Sequence, residues 1–195
     1  GGHNITIGCY ANCANNSQNN NIYMGYFAGK KNGCCGCANG CFNIAIGCAA
    51  GCYGFGCFNN IAIGMNAGQC AKDCAGNNIL LGQSAGRNVT CHGNVIIGHS
   101  AGASVTNGMC NVIMGTLSGS SITSGRCNTI IGAYTGRGVT CGSHNVIIGP
   151  RSANTSGFVG TCNQIIGQCA AMQIGNAHGN QILGAFGGMC ITTGS

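Results

Sequence analysis

Asn94-Val95-Ile96-Ile97-Gly98 is the phrase that decides the fold, because the chain repeats it from end to end. An Asn-x-x-apolar-Gly quintet recurs with its glycine at Gly8, Gly25, Gly47, Gly64, Gly82, Gly98, Gly115, Gly132, Gly149, Gly167 and Gly184. Successive spacings are 17, 22, 17, 18, 16, 17, 17, 17, 18 and 17 residues, a period of 17 with one insertion of five. Four residues before each glycine stands an asparagine: Asn4, Asn21, Asn43, Asn60, Asn78, Asn94, Asn111, Asn128, Asn145, Asn163 and Asn180. A short fixed period carrying a five-residue β-type phrase is the signature of a β-solenoid. The expected fold is all-β: a parallel β-solenoid (β-roll) of eleven coils of about 17 residues, two short strands per coil, running through residues 1–195 as one domain.

Within a coil, Val95-Ile96-Ile97 is β-branched and extended, and Gly98 ends it where the chain must turn. A small pair follows, as in Ala28-Gly29, Ala50-Gly51, Ala67-Gly68, Ala85-Gly86 and Ala101-Gly102, suited to a corner where neighbouring backbones approach closely. The second strand is expected at Val89-Thr90, Val105-Thr106, Ile122-Thr123, Val139-Thr140 and Ile191-Thr192. Coils stacked at a strand spacing of about 4.8 Å make a rod on the order of 50 Å long. Asparagines stacked at that spacing can each donate and accept along the axis, so the eleven are expected to form a structural amide ladder.

Two apolar columns flank this phrase. The residue directly before the glycine (Ile7, Met24, Ile46, Ile63, Leu81, Ile97, Met114, Ile131, Ile148, Ile166, Leu183) is apolar in every coil and is expected to face the interior. One residue earlier, the column changes from Thr6, Tyr23, Ala45, Ala62 and Leu80 to Ile96, Ile113, Ile130, Ile147, Ile165 and Ile182. Alternation sends it to the opposite face, so these six isoleucines are expected to form an outward stripe that packs against neighbouring chains.

The composition narrows the function classes. Only 4% of the residues are charged, against roughly 25% in an average globular protein. Asp73 is the sole acid, and Lys30, Lys31, Lys72, Arg87, Arg126, Arg137 and Arg151 give a net charge of +6. These bases are spread along the chain without a basic run, so no nucleic-acid partner is expected. So little charge is a poor coat for a dispersed monomer and suits a protein inside an assembly. No run of 18 apolar residues exists, so no membrane insertion is expected. The chain opens on Gly1-Gly2 without an initiator methionine, as a processed product or an excised piece would.

Eighteen cysteines point to an oxidising, extracellular setting and a disulfide-stapled structure. Cys110 and Cys127 occupy one column of adjacent coils, as do Cys57 and Cys74, while Cys9 with Cys13 and Cys48 with Cys52 straddle the corner after the glycine. The insertion, near residues 30–41, adds Cys34, Cys35, Cys37 and Cys41. Its C-x-C spacing also suits a soft metal, but no matching zinc-ribbon set occurs elsewhere, and disulfides are the favoured expectation. With one carboxylate in the chain, neither a carboxylate pair nor a Ser-His-Asp arrangement can be assembled, so catalysis is not expected, nor is any cofactor.

Asn43-Ile44-Ala45-Ile46-Gly47 and Asn60-Ile61-Ala62-Ile63-Gly64, each followed by Ala-Gly, resemble the head repeats of YadA-type trimeric autotransporter adhesins. Similar Ile-Gly-x-x-Ala-Gly repeats occur in phage and virus tail-fibre proteins. The resemblance implies a left-handed parallel β-roll, often trimeric, that binds surfaces outside the cell.

The leading expectation is a structural protein forming an extracellular, disulfide-stabilised filament by end-to-end stacking of solenoid subunits, its partner being itself. Open solenoid ends expose strand edges that invite another chain, and a junction between copies would span 19 residues, close to one period. The alternative is a trimeric adhesin or viral fibre module that recognises a surface glycan or protein ligand. A narrower idea, ice binding, rests on the single file Thr90, Thr106, Thr123 and Thr140.

Overall fold

A computed structural model describes residues 2–13, 18–30, 40–53, 58–71, 75–154 and 157–191. Each Asn-x-x-apolar-Gly phrase forms one three-residue strand: β1 (Ile5–Ile7), β2 (Ile22–Met24), β3 (Ile44–Ile46), β4 (Ile61–Ile63), β5 (Ile79–Leu81), β6 (Val95–Ile97), β7 (Val112–Met114), β8 (Thr129–Ile131), β9 (Val146–Ile148) and β10 (Gln164–Ile166). The series continues with β11 (Gln173–Ile174), β12 (Gln181–Leu183) and β13 (Cys190–Ile191). β1 to β10 and then β12 form one parallel sheet of eleven strands in chain order, each displaced from the last by one coil. Pairing is in register throughout, for example Ile96 with Ile113 and Ile113 with Ile130. The chain is a parallel β-solenoid, and among the described residues no helix is long and apolar enough to cross a membrane.

The second side of the coil is more loosely woven. Among the described residues it forms a parallel pair only between β11 and β13, with one isolated bridge between Val139 and Phe158. Elsewhere the threonine file carries the contact between coils. Thr90 N–H donates to Thr106 O at 3.2 Å, Thr106 to Thr123 at 3.1 Å and Thr123 to Thr140 at 2.9 Å. A left-handed corner precedes each of these runs, as at Gly86 (φ 52°), and Val89 N–H closes a tight turn onto Gly86 O. That turn leaves too little extended chain for a full ladder.

Backbone conformation repeats as faithfully as the sequence. The residue before each ladder asparagine is left-handed in all eleven coils, from His3 (φ 58°) to Gly179 (φ 68°). The strand-ending glycine demands more: Gly98 has φ 132°, and a Cβ there would stand 2.6 Å from Gly115 O of the next coil. Only hydrogen fits between backbones that close.

The interior corrects the sequence-based orientation. Ile96, Ile113, Ile130, Ile147 and Ile165 are fully buried and Ile182 nearly so, together with Tyr23, Ala45, Ala62 and Leu80 of the same column. They are the core, not an outward assembly stripe. The column before the glycine, expected inside, faces outward, with Ile7 56%, Ile63 41% and Leu183 71% exposed. The reason lies in the asparagines. Alternation sets Asn94 and Ile96 on the same face of β6 and its approach, and Asn94 is fully buried. The amide ladder turns inward and takes the central strand residue with it. The inward column packs against the corner residues Ala28, Ala50, Ala67, Ala85 and Ala101 and, in later coils, against Val89, Val105, Ile122 and Val139.

Variation in core volume is absorbed locally. A Cβ on Gly29 would overlap the Tyr23 ring, so the missing side chain of one corner makes room for the largest core residue. The Tyr23 hydroxyl donates to Gln18 Oε1 at 2.8 Å, and burial, with a lesser push from Cys41, raises that phenol above its ordinary range.

Candidate assembly surfaces

The asparagine column is the most regular feature of the chain. Each Oδ1 accepts the main-chain N–H of the next asparagine, in ten consecutive bonds of 2.8 to 3.1 Å from Asn4 to Asn180. The same oxygen also accepts the next Nδ2, as from Asn111 to Asn94 at 3.1 Å and from Asn163 to Asn145 at 3.0 Å. The second Nδ2 hydrogen reaches a carbonyl in the coil above, Gly108 for Asn94, Gly125 for Asn111 and Gly142 for Asn128. Burying a file of amides is costly unless every donor and acceptor is matched, and here it is. The ladder is a structural device that leaves no amide in its middle for a ligand.

The ladder is unfinished at both ends. Asn4 Oδ1 serves Asn21, but no described residue accepts from the Asn4 main-chain N–H. At the other end Asn180 Nδ2 donates to Asn163, while Asn180 Oδ1 has no donor among the described residues. Among the described residues, one edge of β1 and one edge of β12 have no strand beside them. Gly184, alone among the strand-ending glycines, has nothing within 4 Å of the position a Cβ would occupy.

The outer face of the eleven-stranded sheet carries two columns. The first and third residues of every strand point away from the core, and the first of these columns was not foreseen from the sequence. Of the twenty-two positions, nineteen are Ile, Val, Leu or Met, the exceptions being Thr129, Gln164 and Gln181. None is charged. Most of these side chains are half-buried, because in-register neighbours above and below cover their flanks and leave the tips open. Ile5, Ile7 and Leu183, at the ends of the stack, lack one neighbour and are correspondingly more exposed.

The thiols correct a second expectation. Cys9, Cys13, Cys48, Cys52, Cys110 and Cys127 are free, without a disulfide among them. Cys110 (φ 57°) and Cys127 (φ 55°) do share a column, but in-register side chains leave the backbone in parallel. Their Cβ atoms then keep the coil spacing of about 4.8 Å, beyond the roughly 3.5 to 4.5 Å a disulfide takes. Cys48 is exposed whereas Cys52 is buried, which sets that pair on different sides of the wall. Cys34, Cys35, Cys37, Cys57 and Cys74 lie outside the described residues; Cys41 is half-buried. No group of three or more metal-ligating side chains converges among the described residues.

Two thiols have shifted acidity. Hydrogen bonds, chiefly from Ser124 and then Thr123, hold exposed Cys141 below the ordinary thiol value. Burial pushes Cys52 up, partly offset by nearby Lys30.

Near the start of the chain an exposed aromatic group stands on the first two coils. Tyr10 stacks on Phe27 at 5.2 Å between ring centres, Tyr26 lies 4.0 Å from Phe27, and Lys30 Nζ sits 4.1 Å above the Phe27 ring. Asn4 and Asn88 each open an Asn-x-Thr triplet, the acceptor pattern for N-glycosylation, and both amides are engaged: Asn4 Nδ2 donates to Gln18 O and Asn88 Nδ2 to Ala103 O.

Comparison of the chain with protein-family models, curated proteins and solved structures yields no match.

Proposed function

We propose that the protein is structural and that its copies stack end to end into an extracellular filament, each new coil continuing the register that the eleven strands already use. The observation that carries this reading is the complementarity of the two unfinished ends. Asn180 Oδ1 offers the acceptor that Asn4 N–H lacks, and the open edge of β12 offers the pattern on which β1 would pair. Exposed strand edges recruit further strands. The charge-poor composition suits a protein that is surrounded by its own copies. In an oxidising compartment the exposed thiols Cys110, Cys127 and Cys162 would cross-link neighbouring copies and harden the fibre.

Gly184 supplies the test. At φ 107° a methyl group there strains the backbone of the last coil but meets no other atom, whereas in a stacked pair it would also meet the backbone of the incoming coil, as at Gly98. Negative-stain electron microscopy of the purified protein should show rods of unlimited length. Gly184→Ala should keep the circular dichroism of the wild type and yield only short rods. Wild-type particles of fixed length near 50 Å would reject the filament.

A second reading, a trimeric adhesin or viral fibre module, is favoured by the exposed Tyr10 and Tyr26 rings packed on half-buried Phe27, with Lys30 over the Phe27 ring. Rings open to solvent with a cation at their edge suit a sugar ring or an anionic surface group. Loss of glycan-array binding in Tyr10→Ala/Tyr26→Ala would support it.

A further inference from the structure

We infer that the outer face of the eleven-stranded sheet is a homotypic interface: two copies pack side by side, face against face, through the two apolar columns. This contact is separate from end-to-end stacking and stands or falls without it.

The area is the first argument. Eleven strands at about 4.8 Å give a face of some 50 Å, and two side-chain columns about 7 Å apart make it roughly 10 Å wide. Each copy therefore presents on the order of 500 Å², and a pair encloses about 1,000 Å², the level at which a specific contact becomes stable. An apolar strip of that size is at the upper end of what a typical monomer carries, and patches of that kind are often functional.

Chemistry and spacing select the occupant. A charged partner would find no counter-charge, since neither column holds Lys, Arg, Asp or Glu. The face is a grid of apolar side chains repeating at the coil rise, as Ile79, Val95 and Val112 do along one column and Leu81, Ile97 and Met114 along the other. Interdigitation along the whole length requires a partner with the same repeat, and a second copy has it. The resulting dry contact is the kind that joins sheets about 10 Å apart in cross-β assemblies. In a filament the strip would continue from subunit to subunit, so the paired area would grow with length.

The test is Ile63→Lys/Met114→Lys/Ile148→Lys. All three side chains point outward, and Ile63 and Met114 are among the exposed apolar residues. Sedimentation velocity at tens of micromolar, with Gly184→Ala added to both proteins to block end-to-end stacking, should find two-chain species without the lysines and at least a tenfold loss of pairing with them, at an equal thermal melt. With the ends blocked, a two-chain species that persists in the lysine variant overturns the lateral pair. A strictly monomeric wild type or a discrete three-chain mass overturns it as well. Monomeric wild-type protein captured by phosphatidylcholine vesicles would assign the face to lipid instead. If the variant fails to melt like the wild type, Met114→Lys alone serves, and unaltered pairing there counts against the interface.

Discussion

Asn111 Oδ1 accepts two hydrogen bonds from Asn128, one from its main-chain N–H and one from its Nδ2, both at 3.0 Å. Asn111 Nδ2 in turn donates to Asn94 Oδ1 at 3.1 Å and to Gly125 O at 2.9 Å. One side chain thus ties together three coils, with every polar atom matched. A one-methylene arm holds the amide at the right reach for bonds both up and down the stack. Glutamine would push its amide past the Asn94 oxygen and the Asn128 N–H.

Asn111→Ala should therefore cost more than an ordinary polar deletion. It orphans the buried Asn128 N–H and the Gly125 carbonyl together, for a loss on the order of 3 kcal/mol. Denaturant unfolding checks the figure. Asn180→Ala, at the half-buried end of the ladder, should lose well under half as much.

Gly98→Ala should be more damaging still. The methyl would sit 2.6 Å from Gly115 O at a φ of 132° that L residues rarely adopt, and both objections concern backbone that cannot swing aside. Neighbouring coils would have to separate at that corner. A fall of the thermal midpoint by more than 10 °C is expected, read by circular dichroism.

The period, the strand phrase, the ladder and the glycine corners were legible in the sequence, because each is a repeated local demand on backbone or on reach. Which side of the strand faces inward was not. Both faces are apolar, and the unbroken column from Ile7 to Leu183, set against a mixed column beginning Thr6 to Leu80, points hydrophobicity to the wrong side. The asparagines held the answer. Asn94 and Ile96 share a face by alternation, and a ladder with all its bonds made is cheap to bury. Tyr23 shows why core volume can vary so widely along one column: glycine at position 29 leaves the space its ring occupies. The free thiols follow from the same regularity, since in-register side chains stay one coil apart instead of converging.

Ile113 and Met114 turn that orientation into a measurement. Ile113 is fully buried and Met114 is 36% exposed on the outer face. Ile113→Ser should destabilise the chain by roughly 4 kcal/mol through a cavity and a buried hydroxyl. Met114→Ser should cost less than about 1 kcal/mol. Equal losses, or the reverse order in urea titrations, would restore the opposite orientation.

Thiol chemistry separates Cys141 from Cys52. The thiolate is the reactive form, and hydrogen bonds from Ser124 and Thr123 favour it at exposed Cys141, with Thr123 Oγ1 3.7 Å from the sulfur. At Cys52 burial disfavours it more than Lys30 helps. The midpoint of the Cys141 labelling rate against pH should lie below that of an ordinary thiol, and the Cys52 midpoint above it. At neutral pH, with the fold intact, iodoacetamide should therefore modify Cys141 well before Cys52. Peptide mapping by mass spectrometry after short exposures reads the order directly, and 6 M guanidinium should abolish the difference, since both shifts depend on the folded coil. If Cys52 were labelled first in the native protein, the inward placement of its corner would be wrong, and the packing of Ala50 and Ala67 beside it would need to be redrawn.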